Sequence, residues 1–300
     1  MIGRAAAWGG GLAAWAALLA LVLLPGCSAP ARGNGEGGGV GPPRRIVSMN
    51  PCVDAILREV AAPDQIAAIS HYSQDSRATS VPLAWAQAYP AVGDAAEDVL
   101  NQRPDLVIAG PHIAPETLSA LRRMGVPLLS TTVPATVAES KGQIREIAAR
   151  IGKHERGEAL VARIEAALAQ LDAAQGARPA ALIWQDSGLV PGPGTLAEEM
   201  LRRAGFRSAS AEMKLQMWDM VSVEQILLNP PDIIMTGVAG MEADGMGRKG
   251  LGAPMLAKAQ GRIMTADFPS RLLHCAGPTI IATAVQLKAI RARWDREKRG

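Results

Sequence analysis

The sequence predicts an α/β protein of two Rossmann-like lobes, each with a parallel sheet, joined by a long rigid α-helix. Three observations carry this. From Arg44 onward, short apolar runs alternate with amphipathic stretches, the pattern of consecutive βα units. That alternation occurs twice. Between the two series runs ERGEALVARIEAALAQLDAA, rich in Ala, Leu and Glu, with Leu160, Ile164, Leu168 and Leu171 at helical spacing.

The first series predicts strands over 46–48, 66–70, 106–109 and 126–131, and helices over 52–61, 115–124 and 137–151. The second predicts strands over 180–185, 232–236 and 262–266, with helices over 195–204, 223–228, 253–259 and 279–296. Gln175-Gly176-Ala177-Arg178-Pro179 stops the connecting helix. The halves also echo each other in register. Glu97-Asp98-Val99-Leu100 precedes Pro104-Asp105-Leu106-Val107-Ile108-Ala109-Gly110, and Glu224-Gln225-Ile226-Leu227 precedes Pro231-Asp232-Ile233-Ile234-Met235-Thr236-Gly237. In each copy Pro-Asp breaks a helical turn and leads the chain into a strand. A ligand crevice is expected between the lobes. The expected organisation is a lipoprotein-type signal peptide over 1–26, a flexible tether over 27–43, an N-terminal lobe over 44–152, a connecting helix over 153–177 and a C-terminal lobe over 178–300.

The N-terminus reads as an address. AAAWGGGLAAWAALLALVLL carries no charge, follows Arg4 and leads to Leu24-Pro25-Gly26-Cys27. Cys27 resembles the acylated cysteine of a bacterial lipobox, which implies a lipid-anchored location in the periplasm or cell envelope. The alternative is an uncleaved anchor, since the run is long enough to span a bilayer. The Gly/Pro-rich segment after Cys27 reads as the tether.

Composition narrows the remainder. With 48% hydrophobic and 20% charged residues, the chain is not a disordered polymer. The single long apolar run excludes a polytopic membrane protein. A net charge of +3 without a Lys/Arg cluster gives no case for a nucleic-acid partner, and a monomer is expected. Three Cys are too few for a disulfide scaffold. Aromatics are only 3%, so each ring outside the N-terminus needs a reason.

Several residues are candidates for contact with a ligand. Trp184 and Gln185 end the first strand of the second lobe, where a parallel sheet faces its crevice; capping of the lobe core is the other reading for Trp184. Arg271 lies at the crevice end of the same lobe, placed to pair with an anionic group or to sit on the surface. His71, His112 and His274 each follow a predicted strand. A metal site, coordination of a bound chelate's metal, and ordinary hydrogen-bonded roles all remain open for them. The metal itself is undetermined, because no two of these His have ligand spacing. Met213, Met217, Met220, Met241 and Met246 are expected to fill gaps in the core, and residues 237–252 to form a Gly-rich loop without a nucleotide-binding frame.

The motifs RIVSMNPCVDAIL (Arg45 to Leu57), IAAISHYSQD (Ile66 to Asp75), the paired Glu…Pro-Asp units and RLLHCAGPTII (Arg271 to Ile281) together resemble the substrate-binding proteins of ABC importers for cobalamin and ferric siderophores. The resemblance implies capture of a metal chelate (cobalamin or another corrinoid, a ferric siderophore or haem) and its delivery to a permease with its ATPase. It implies no enzyme activity and no required cofactor. It places Glu97 and Glu224 at permease-docking positions, and Tyr72 and Trp218 in the crevice with ring faces for a flat ligand; core packing is the other reading for Trp218. Where the cobalamin binders have Trp-Gln-Gly, this chain has Val92-Gly93-Asp94, so one stacking ring is missing. The family architecture also puts Cys52 and Cys275 at the crevice. Three readings stay open for them: a disulfide across the lobes, a reactive Cys52 thiolate at a helix N-terminus, or small buried residues, with contact to the ligand ranked after that last one. The alternatives to a transport role are an envelope ligand sensor of the same fold and an enzyme with Cys52 as nucleophile.

Overall fold

The computed structural model describes residues 41–172, 176–185, 188–237 and 263–298. The expected signal peptide, Cys27 and most of the tether lie outside these residues. So do Met241, Met246, the Gly-rich segment after Gly237 and the helix expected over 253–259.

The N-terminal half runs β1 (Ile46–Ser48), α1 (Pro51–Val60), β2 (Ile66–Ser70), α2 (Leu83–Ala86), β3 (Ala91–Val92), α3 (Ala96–Asn101), β4 (Leu106–Ala109), α4 (Pro115–Arg123), β5 (Leu128–Ser130) and α5 (Val137–Arg150). The strands form one parallel sheet in the order β3-β2-β1-β4-β5. The winding direction reverses between β1 and β4, which opens a crevice outside their carboxyl ends. α6 (His154–Asp172) follows. Then come β6 (Ala180–Ile183), β7 (Leu189–Pro191), α7 (Leu196–Arg203), β8 (Arg207–Ser208), α8 (Ala209–Glu212), β9 (Trp218–Met220), α9 (Val223–Leu228), β10 (Ile233–Thr236), β11 (Met264–Asp267), α10 (Arg271–His274) and α11 (Thr279–Glu297). The second sheet is parallel in the order β11-β10-β6-β8, with its reversal between β6 and β10. β7 and β9 form a separate antiparallel ribbon.

Both faces of each sheet are covered, which is why β4 and β6 read as unbroken apolar runs rather than alternating ones. One apolar cluster passes through the whole body. It takes Ile56 and Leu57 from α1, Ile144 and Ile147 from α5, Leu160 and Ile164 from α6, and Phe206 and Leu287 from the second half. Smaller clusters fill the opposite face of each sheet: Val47, Ala68 and Val107 in the first, Leu182, Val190 and Ile234 in the second. The scarce rings are partly spent here. Phe206 and Phe268 are fully buried, and the buried guanidinium of Arg291 lies over the Phe206 ring and the Trp294 ring, at 5.9 and 5.7 Å.

The repeated Pro-Asp has a repeated job. Asp105, just before β4, accepts the backbone N–H groups of Arg44 and Arg45 at 2.7 and 2.8 Å. Asp232, just before β10, accepts the N–H of Ala180 at 2.7 Å. In each sheet the carboxylate thus fixes the start of the neighbouring strand, β1 or β6, and with it the register. The short elements β3, β7, β8, β9, α2, α8 and α10 are additions to the elements expected from the sequence.

Cys52 and Cys275 form a disulfide across 223 residues of sequence, with Cα atoms 5.1 Å apart. The bond ties the start of α1 to the segment between α10 and α11. The same seam carries a hydrogen bond from the Gly277 N–H to Ser140 Oγ at 2.9 Å, and Glu199 of α7 accepts the Val137 N–H at 2.8 Å. This is the first of the three readings: each sulfur is committed to the other. It also removes the reading of Cys52 as thiolate or nucleophile. Because the bond closes so long a loop, replacing both cysteines with serine is expected to cost roughly 2–5 kcal/mol. Urea unfolding of the oxidised protein against the double variant measures this.

Candidate ligand-binding crevice

The carboxyl ends of β1, β2 and β4 converge on a cluster of three rings. β2 runs directly into a single 3₁₀ turn, His71–Gln74. The His71 and Tyr72 rings lie 4.0 Å apart between centroids, tilted by 36°, and His112, after β4, meets Tyr72 edge-on at 6.3 Å. His71 Nδ1 is 3.1 Å from the Val92 carbonyl oxygen at the end of β3. His112 approaches β4 closely because residue 110 is glycine: a Cβ there would lie 2.7 Å from His112 Cε1 and would also strike the Asn50 amide. Asn50 in turn caps α1 by accepting the Cys52 N–H at 2.8 Å.

The second lobe contributes the β7–β9 ribbon. Trp218 is 44% exposed and Tyr72 38%; among the described residues they are the only Phe, Tyr or Trp side chains exposed to this degree. Met217 and Met220 beside Trp218 are exposed as well, against the expectation that they fill the core; Met213 alone packs against the second lobe's cluster. Trp218 and Met220, two residues apart on β9, share the outward face of the ribbon. Trp184 is half-buried, and its indole N–H donates to the Val221 carbonyl at 3.0 Å, so it holds the end of the ribbon. Gln185 makes the tight turn into β7, with its carbonyl accepting the Gly188 N–H at 2.7 Å. Asp186 and Ser187 lie outside the described residues.

The remaining candidates fall elsewhere. Arg271 is apart from the rings: it lines a cavity of about 280 Å³ with Arg58 and Glu59 of α1 and Arg163 of α6. His274 sits at the seam between the lobes, where burial lowers its pKa against the opposing effect of the Ala78 backbone. Among the described residues, no three His, Cys, Asp or Glu side chains gather to hold a metal ion. Glu97 and Glu224 are both exposed, and each is the second residue of a six-residue helix, α3 or α9. In each βα unit that helix end lies at the carboxyl edge of its sheet, level with the crevice. The Glu224 carboxyl is held below its usual pKa by its own backbone N–H and by the Ser222 hydroxyl.

One residue beneath the rings has no counterpart among the expected ones. Asp54 of α1 has no exposure to solvent. Burial pushes its pKa up to about 7, against lowering contributions from Ser48, Ser73 and the Ser70 backbone. The available signal was a lone acid in the apolar run CVDAIL, at a spacing that buries it with Leu57.

Exposed rings beside the carboxyl ends of parallel strands are what a ligand crevice at a topological switch point requires. The sequence profile of the family described as periplasmic binding protein matches residues 46–267, and the chain belongs to that family. Solved structures agree in fold. The periplasmic heme-binding protein RhuT from Roseiflexus sp. RS-1 is 25% identical with a TM-score of 0.64, over 83% of this chain and 97% of that one. The periplasmic heme-binding protein HutB of Vibrio cholerae is 20% identical with a TM-score of 0.69, over 82% and 98%. The periplasmic vitamin B12-binding protein BtuF of Vibrio cholerae is 20% identical with a TM-score of 0.63, over 84% and 98%. No curated protein matches the chain.

Two outcomes test this geometry. Gly110→Ala forces His112 and Asn50 aside, with an expected loss of about 1–3 kcal/mol in urea unfolding. Asp54 has its folded pKa raised from 3.8 to about 7, so its contribution is fully present below pH 3.8 and is lost as pH rises through 7. Unfolding midpoints from pH 5 to pH 8 are therefore expected to fall more steeply in the wild type than in Asp54→Asn.

Proposed function

We propose that this protein is an extracytoplasmic, lipid-anchored substrate-binding protein of an ABC importer, which captures a metal chelate between its lobes and delivers it to the permease. Haem is the chelate that suits the crevice best. The observation that carries this reading is the placement of the exposed rings. In a chain with so few aromatics, Tyr72 stands between two imidazoles on one lobe, and Trp218 with Met217 and Met220 forms an apolar surface on the other. A flat macrocycle buries apolar area against such surfaces. Tyr72 offers a phenol oxygen, and His71 and His112 offer ring nitrogens, to the open axial position of an iron. The missing ring at Val92-Gly93-Asp94 weighs against cobalamin.

Glu97 and Glu224 support the delivery step. They occupy matching positions on the two lobes at the level of the crevice, so paired cationic sites on a permease would meet one carboxylate from each. Opening between the lobes is small in this reading, because α6 and the Cys52–Cys275 bond both restrain it. Anchoring through Cys27 would hold the body near a membrane on its tether.

Titration with haemin, followed by the Soret band and by Trp quenching, is expected to show binding. Tyr72→Ala and Trp218→Ala should each weaken it tenfold or more. Aquacobalamin and a ferric hydroxamate run beside it separate the chelate classes, and failure of all three in folded protein sinks the reading. Reversing both charges, Glu97→Arg with Glu224→Arg, should abolish chelate uptake in cells while leaving haemin binding in vitro unchanged. Retained uptake would favour a sensor.

A further inference from the structure

The turn that carries His71 and Tyr72 is only four residues long, and its N-cap Ser70 makes no capping bond through its own side chain. Its anchorage comes from below. The Ser70 N–H donates to Asp54 Oδ2 at 3.0 Å, and the Ser73 hydroxyl donates to the same oxygen at 2.6 Å. One carboxylate oxygen therefore grips the residues immediately before and after the His71-Tyr72 pair. Gln74 closes the far end, its amide donating to the carbonyls of Ala86 and Tyr89 at 3.1 and 2.9 Å.

The cost of this arrangement points to a purpose beyond packing. Asp54 occupies a core face of α1 beside Val53, Ile56 and Leu57, where an aliphatic residue would fill the same space without desolvating a carboxyl. Its second oxygen, Oδ1, is buried and has no hydrogen-bond partner. The polar groups that face it are three hydroxyl-bearing residues from three segments: Ser48 of β1, Ser70 of β2 and Ser73 of the turn. None of them is charged.

We propose that Asp54 is a positioning residue for the ligand site: from beneath the sheet edge it clamps the Ser70–Ser73 turn, holds the Tyr72 ring between His71 and His112, and so sets the affinity for the chelate. The inference rests on the reading of the crevice as a chelate site. It adds that affinity depends on a buried group that never touches the ligand.

Haemin titration by the Soret band, with the full-length protein, tests it. Asp54→Ala and Ser73→Ala are each expected to weaken haemin binding about tenfold. The double variant should be no weaker than the worse single one, because both remove the same link. In a Tyr72→Ala background, Asp54→Ala should have no further effect. Val60→Ala, at the far end of the same helix, is the control: it lowers Tm but should leave haemin affinity within twofold. Amide hydrogen exchange reads the turn without ligand, and Asp54→Ala should speed exchange over residues 70–75 while leaving α6 unchanged. Wild-type affinity in Asp54→Ala, an additive loss in the Tyr72→Ala background, or unchanged exchange over 70–75 would each overturn the inference while leaving the chelate site standing. A wild-type protein that binds no haemin would overturn both.

Discussion

The structure depends on one apolar cluster that does not stop at the boundary between the lobes. α6 contributes Leu160, Val161, Ile164, Leu168 and Leu171 to a core whose other members come from α1 and α5 on one side and from α7, α11 and the second sheet on the other. Separating the lobes would expose that surface, at roughly 25 cal/mol for each Å² of apolar area. A connection packed in this way is a strut. The surface ion pair along it, Arg145–Glu158, adds orientation more than energy, because both charges remain solvated.

A rigid body changes what a binding crevice can do. With little room for closure, the walls must already be near their final geometry, so affinity rests on how well each wall is held. Every ring-bearing segment here has its own brace. Asp54 and Val92 hold the His71-Tyr72 turn, Gly110 makes room for His112, and Trp184 fastens the ribbon that carries Trp218. The disulfide belongs to the same logic: it closes the seam where α1 meets the segment after α10, at the edge of the crevice.

The two lobes solve one problem twice. In each, a six-residue helix presents a glutamate at its second position, and a Pro-Asp then locks the adjacent strand. The exposed side chains beside the two sheets differ, with imidazole and phenol on one half and indole and thioether on the other.

Local periodicity and punctuation carried the architecture. The strands over 46–48, 66–70 and 106–109 and the helix over 223–228 were legible because apolar runs bounded by turn residues have few other uses. Tyr72 and Trp218 stood out because rings are rare in this chain. The sequence by itself determined the two α/β lobes, the linking helix and the short list of rings, since these depend on neighbours along the chain. Only the tertiary structure decided that Cys52 meets Cys275, that Met217 and Met220 face outward, and that Asp54 lies beneath the Tyr72 turn. Each of these depends on which segments meet across tens or hundreds of residues, and on the walls available to cover a side chain. No local pattern records that information.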